Sequence, residues 1–376
     1  MSRDDTIGLH ALHSITWYVN EPSRTRELLN GALGFRQCER RSSIEADDAS
    51  ETSVVYEAGR CRIACVTPRS PDSRAAHYLR QHPSGIGRVT FEVDDLARAQ
   101  AQLSSRGATF VSSHAGASAN VLEVTTPIDD LVFGFVQRSL DQAQQVGSGI
   151  RPDAHAGPSH FDHITINTGT ILPVSLWLTH LLGLEKHWEI EFHTAGDSAN
   201  PDDTRGSGLK SSVLWDRHSG VQLALNEPKR PNFFGSQIEL FRRDHRGSGI
   251  QHVALHVTDL VGVVRALRAR GVRFAPIPGP YYEQLQARLD RIGVGAIDEP
   301  LDALRELGIL VDGSGRGRYL LQIFIEDEAG FLGDNDRSPF FLELIERKGC
   351  TEFGAGNFRA LFDSIAAAQE RRTIAP

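Results

Sequence analysis

No apolar run approaches the roughly 18 residues that mark a bilayer-spanning helix. The opening MSRDDTIGLHALHS has no basic start, apolar stretch or small-residue cleavage site, so no secretory signal is read there. Both absences predict a soluble, cytoplasmic protein. Cysteine is scarce: the four present are too few and too scattered for a disulfide framework. Cys61 and Cys65, four apart in a strand-like segment, are read as core residues on one buried face. Positive charge is not in excess either, since 40 Lys and Arg face 48 Asp and Glu for a net charge of −8. The basic residues form no stripe, so neither nucleic acid nor a membrane surface is the expected partner, and a small molecule is.

What the chain does have is ordinary globular usage, 40% hydrophobic and 23% charged, over 376 residues, enough for two domains. It also repeats itself. LHSITWYVNEPSRTRELLNGALGF (12–35) aligns at an offset of 149 with the segment running from FDHITINTGT to LWLTHLLGL (161–184). In each copy an alternating strand leads into a helix that a glycine, Gly34 or Gly183, would stop. GIGRVTFEVDDLARAQAQLSSRGATF likewise matches GIQHVALHVTDLVGVVRALRARGVRF at an offset of 164, each with a strand and a helix ending in Arg-Gly. Alternating segments between these landmarks read as hairpins, and each half closes on an apolar strand, at 129–139 and 338–349. The polar stretch 141–160 reads as the connector. An insertion with helical spacing, from PIPGPYYEQ to ILVDGSG, occurs only in the second half, which suggests that this half has the active site.

Superposing the copies exposes three replacements: Ser14 becomes His163, Arg88 becomes His252, and Gly134 becomes Glu343. Each falls on a strand face shared with i±2 neighbours, and rigid strands are a sound base for a ligand set. Two imidazoles and a carboxylate on one face form the ligand pattern of non-haem Fe(II) oxygenases. Zinc with the same ligands stays open, although the general base of an H-E-x-x-H site is absent. Other histidines, such as His10 and His245, are read as solvated loop residues.

The motifs FDHITIN, LNEP, SQIEL, GIQHVAL, LLQIF, FFLELIERKG and EFGAGNFRALFDSI resemble, in order and spacing, those of 4-hydroxyphenylpyruvate dioxygenases. The likeness covers nearly the whole chain. It implies an α+β fold of two tandem vicinal-oxygen-chelate domains, each of paired βαβββ modules forming a half-open barrel: 1–145 without metal, and 146–376 catalytic with a C-terminal lid helix. It implies Fe(II) on His163, His252 and Glu343, and a pocket of Ser211, Asn226, Gln237, Gln251 and Gln322 walled by Phe324, Phe353 and Phe358. Asn226, Gln251 and Gln322 would serve the chemistry. Gln251 conflicts with simple alternation, which points it away from His252. Amides bind a phenol or carboxylate without a titrating charge, and aromatic edges pack an aryl ring.

The implied reaction takes 4-hydroxyphenylpyruvate and O2 to homogentisate and CO2, as in tyrosine catabolism. Alternatives are 4-hydroxymandelate synthesis, a dioxygenase for another 2-oxo acid, or a non-catalytic small-molecule binder. The resemblance also implies a homo-oligomer, dimer or tetramer. Ala224, where the family commonly has proline, and Ile325, where a small polar residue is more typical, depart from the pattern near the presumed ring pocket.

Overall fold

The computed structural model describes residues 6–38, 49–111, 121–138, 157–193, 208–229, 235–325, 338–354 and 356–357. The expected domain boundary at 145/146, the terminal helix and Phe358 lie outside these residues. The first half contributes β1 (Leu9–Tyr18), β2 (Arg36–Cys38), β3 (Glu51–Ala58), β4 (Cys61–Pro68), β5 (Gly85–Val93), β6 (Val121–Thr125) and β7 (Val132–Gln137). They form one mixed sheet in the order β2-β3-β4-β1-β5-β7-β6.

The second half contributes β8 (His160–Asn167), β9 (Glu185–His193), β10 (Gly208–Trp215), β11 (Gln222–Pro228), β12 (Gly249–His256), β13 (Leu310–Gly313), β14 (Tyr319–Phe324) and β15 (Phe341–Lys348). Their order, β13-β14-β15-β12-β8-β11-β10-β9, is the first sheet read backwards plus β13. β13 is the last stretch of the insertion that the sequence spacing assigns to helix. Short helices occupy Gly279–Glu283, Leu285–Arg291 and Leu301–Leu307 before it, and its backbone pairs with β14.

Register carries the duplication to the level of single residues. In the first sheet Thr90 sits opposite both Ser14 and Gly134; in the second, Ala254 sits opposite both His163 and Glu343. The modules depart from a strict βαβββ plan at one place. After the helices Leu96–Ser105 and Leu260–Ala269 the expected strand is, among the described residues, a single bridge, Phe110 to Val124 and Phe274 to Ile325.

Sequence chemistry sets the helix ends. Asp95 and Asp259 cap their helices by accepting from the Arg98 and Gly262 amides, at 3.0 and 2.9 Å, which satisfies donors that a helix start leaves free. Gly34 and Gly183 take φ of +74° and +76°, the left-handed conformation expected of terminating glycines. One buried cluster runs through both halves, with Trp17 edge-on to Phe340 at 5.0 Å and Phe133 to Trp177 at 5.7 Å. Cys61 and Cys65 lie in it as free thiols. No helix among the described residues is long and apolar enough to cross a membrane.

His245 is not a solvated loop residue. It ends the helix Gln237–His245 at 3% exposure, hydrogen-bonds the Tyr78 hydroxyl at 3.2 Å and stacks on His82 at 4.5 Å, tying the halves together.

Candidate metal centre

His163, His252 and Glu343 come from the adjacent strands β8, β12 and β15. The register places His163 and Glu343 on either side of Ala254, whose methyl leaves the space between them open, with His252 two residues along the same strand. All three are buried, at 3%, 4% and 1% exposure. Glu343 Oε2 lies 3.2 Å from His252 Nε2 and 3.6 Å from His163 Nε2, and the three potential ligand atoms fall within 4.8 Å of one another.

The far nitrogens decide what faces the centre. His163 Nδ1 is 2.8 Å from Asp162 Oδ1 and His252 Nδ1 is 3.1 Å from Gln251 Oε1, so each ring donates outward and turns an Nε2 lone pair inward. Burial lowers the His252 pKa, opposed by Glu343, which favours the neutral ring. Two lone pairs and a carboxylate oxygen therefore converge without a donor among them. Such a set fits a cation.

Adjacent residues can grip a ring in this way because β12 and β8 both bulge. Register slips between Ile250 and His252 and between Phe161 and His163, which puts Gln251 and Asp162 beside the ligands they precede in sequence instead of on the opposite face. The conflict between alternation and Gln251 disappears with the first bulge. Both bulges repeat in the first half, at Gly87 and His13. A glycine inside a strand is the signal that would have announced this one.

Asp162 is held in turn. Arg347 grips it with two 2.7 Å hydrogen bonds and reaches with Nη1 to the carbonyls of Cys350 and Glu352, at 3.0 and 2.8 Å. Burial alone would raise the Asp162 pKa, but the Arg347 charge and hydrogen bonds hold it well below the usual carboxylate range. Arg347 went unremarked in the sequence, though it lies on the Glu343 face at i+4.

Around the triad, Phe353 meets the His163 ring edge-on at 4.6 Å, Phe324 lies 6.3 Å from His252, and Phe341 stacks on His252 at 4.9 Å. Gln322 donates from Nε2 to Glu343 Oε1 at 3.0 Å and accepts from Asn357. Asn226 donates to Asn167 Oδ1 at 3.1 Å, and Ser211 is its cross-strand partner. Ser211 Oγ, Asn226 Oδ1, Asn167 Nδ2 and Thr165 Oγ1 are buried with no hydrogen-bond partner among the described residues. Leaving such atoms unmet costs about 1–3 kcal/mol each, so a polar ligand has a row of groups to satisfy. Gln237 is buried, 4% exposed, at the start of a helix packed on β8, β11 and β12.

Residues 13–125 and 162–287 match the sequence model of the glyoxalase/bleomycin resistance protein/dioxygenase superfamily. A protein named 4-hydroxyphenylpyruvate dioxygenase from Caenorhabditis briggsae is 33% identical over 325 residues, 80% of this chain and 77% of that one. Its namesake from Pseudomonas aeruginosa is 31% identical over 358 residues, 93% and 90% of the two chains. Among solved structures, a triply substituted 4-hydroxymandelate synthase from Streptomyces coelicolor superposes with a TM-score of 0.73 at 22% identity, covering 96% of this chain and 99% of its own, a likeness of fold.

The chain belongs to the 4-hydroxyphenylpyruvate dioxygenase family. It is thus an enzyme of the dioxygenase type, for which a metal cofactor is implied and His163, His252 and Glu343 could hold the ion.

Of the two departures from the family pattern, Ala224 does sit on the pocket side, in one apolar cluster with Phe353 and Ile238. Ile325 does not. It packs into the main core behind the sheet, whereas its neighbour Phe324 turns to the other face with Leu310. The substitution at Ile325 is a core matter and says nothing about the ring pocket.

In the first half the equivalent place is filled. Arg88 Nη1 binds Glu123 Oε1 at 2.8 Å, Arg74 Nη1 binds Glu123 Oε2 at 2.9 Å, and Arg88 Nε reaches Thr16 at 3.0 Å.

Proposed function

We propose that this enzyme converts 4-hydroxyphenylpyruvate and O2 to homogentisate and CO2 with Fe(II) held by His163, His252 and Glu343. The observation that carries this reading is the convergence of two inward imidazole lone pairs and Glu343 Oε2 on one buried point. Curated relatives of that name at about the same length support the substrate. Bound iron would supply the redox-active centre at which a 2-oxo acid and O2 meet, and the chain's residues do the rest.

Asn226 and Ser211, with polar atoms waiting in a row, are assigned to the polar groups of the substrate together with Gln237. Gln251 and Gln322 each hold a ligand and stand beside the reacting end, so they position substrate and ligand together. Phe324 and Phe353 pack the aryl ring, and Phe358 is assigned to the same wall from its motif. Burial of the described members of this set excludes water from the reacting atoms, which protects a reactive oxidant from side reactions. We assign the division at 145/146, with catalysis in the second half, and a cytoplasmic setting to the same reading.

The test is product analysis after incubating the protein with Fe(II), O2 and 4-hydroxyphenylpyruvate. Homogentisate with matching oxygen consumption is expected. Hydroxymandelate as the sole product would overturn the product assignment, and no oxygen uptake with any 2-oxo acid would overturn the activity.

A further inference from the structure

Glu343 has two oxygens, and only Oε2 faces the imidazoles; Oε1 is occupied by the Gln322 amide at 3.0 Å. What holds Gln322 in that orientation lies outside the site. Its Oε1 accepts from Asn357 Nδ2 at 2.8 Å, and Asn357 Oδ1 meets the Tyr281 hydroxyl at 2.8 Å. Tyr281 lies on the first insertion helix, and Arg288, on the second, donates to its hydroxyl at 2.6 Å.

The direction of this chain of hydrogen bonds is set at its far end. A guanidinium has donors and no acceptor, so the Tyr281 oxygen accepts from Arg288, and it accepts again from the Val311 amide at 2.8 Å. Its single proton has two candidate acceptors, Val311 O and Asn357 Oδ1. Val311 O already accepts from Arg288, which leaves Asn357 as the acceptor in need. Burial pushes the Tyr281 phenol up to about 12, so the proton is present at neutral pH. Asn357 must then turn Oδ1 to Tyr281 and Nδ2 to Gln322, and Gln322 must turn Nε2 to Glu343. Neither amide is free to flip.

We infer that Tyr281 and Asn357 are positioning residues that, through Gln322, lock one oxygen of Glu343 away from the metal site and aim the other at it. The inference rests on the reading that the triad binds a metal. It also gives the insertion a purpose: the first half has neither the insertion nor a carboxylate to aim, with Gly134 in the place of Glu343. The backbone of the tail is shaped to permit the relay. Gly354 takes a φ of +71°, and a Cβ there would stand 2.7 Å from Gln322 Oε1.

The test uses metal binding by the full chain, without turnover. Metal-free wild type is titrated with Co(II), following its visible absorption, alongside Tyr281→Phe, Asn357→Asp and the control Tyr282→Phe. Tyr282 is the adjacent residue of the same helix, and its hydroxyl donates to the Ile309 carbonyl at 3.1 Å instead of to Asn357, so its loss reports on the helix and not on the relay. Asn357→Asp keeps an acceptor for Tyr281 and removes the donor to Gln322, which reverses the amide orientation demanded downstream. Both relay variants are expected to bind Co(II) about 10–100-fold more weakly with a shifted spectrum, the usual effect of removing a partner behind a ligand. Tyr282→Phe is expected to match wild type. Wild-type affinity and spectrum in either folded relay variant, or an equal loss in Tyr282→Phe, would overturn the inference. Absence of binding by wild type itself would instead sink the metal reading on which it stands. Should Tyr281→Phe not fold, Asn357→Asp decides alone.

Discussion

Replacing Arg347 with methionine, which keeps the length of the stem and removes the charge, strips a buried carboxylate of its main partner. The Arg347 and Asp162 side chains are 15% and 6% exposed, and their contact is bidentate at 2.7 Å, the geometry in which a buried pair is strongest. Removing one member of such a pair costs about 3–5 kcal/mol, because the remaining charge stays in low dielectric without compensation. The variant also frees the Cys350 and Glu352 carbonyls, loosening the turn that brings Phe353 against His163. Chemical denaturation of the metal-free protein at neutral pH should therefore show a loss of about 3–5 kcal/mol or more. Adding Asp162→Asn removes the stranded charge, so the double variant should be less destabilised than the sum of the two single variants. A loss under about 1 kcal/mol for Arg347→Met, or strict additivity in the double variant, would show that Arg347 does not hold Asp162 as described.

Two further outcomes follow from the same geometry. His252→Ala should cost more metal affinity than the roughly 10–100-fold typical of a residue behind a ligand, and should abolish turnover; retained iron with full activity would place the metal elsewhere. His245 has its pKa lowered to about 4, first by burial and then by the neighbouring His82. A neutral ring in the fold against an unfolded value of about 6.5 means that its contribution is present above pH 6.5 and declines as pH falls toward 4, by about 3 kcal/mol in total. His245→Gln should flatten this part of the stability–pH curve, measured by denaturation from pH 7 to pH 4 beside wild type, and an unchanged slope would contradict it.

The triad was legible because the chain holds its own control: the same strands occur twice, and at three matched positions ligand-type residues replace Ser14, Arg88 and Gly134. The stops at Gly34 and Gly183 are local chemistry and were readable for that reason. What resisted reading is non-local. Whether Gln251 joins His252 depends on a bulge defined by the pairing of β12 with β8, which no property of β12 alone decides. His245 looked solvated because the Tyr78 and His82 side chains that bury it are more than 160 residues away. The Tyr281–Asn357 bond joins residues 76 apart, and Ile325 falls on the core face where it bridges to Phe274 just beyond the end of β14.

Three ligand replacements alone do not account for the difference between the halves. Ala254 lies between His163 and Glu343; its counterpart Thr90 lies between Ser14 and Gly134, and a Cβ on Gly134 would already stand 2.9 Å from the Thr90 hydroxyl. A glutamate at position 134 would meet that β-branched side chain before it reached a metal. The bulge position Gly87, equivalent to Gln251, is closed in the same way, since a Cβ there would lie 2.3 Å from the Tyr18 ring. The interior of the first half is occupied by Arg88, Arg74 and Glu123, whose carboxyl the two guanidinium groups hold below its usual pKa against the effect of burial. That cluster sets two guanidinium groups against one carboxylate, an excess of positive charge that repels a cation. The second half keeps the same bulged strands with a smaller residue at the crossing point and hydrogen-bond partners behind each ligand. The cleared space and the supporting partners distinguish the two halves as much as the ligands do.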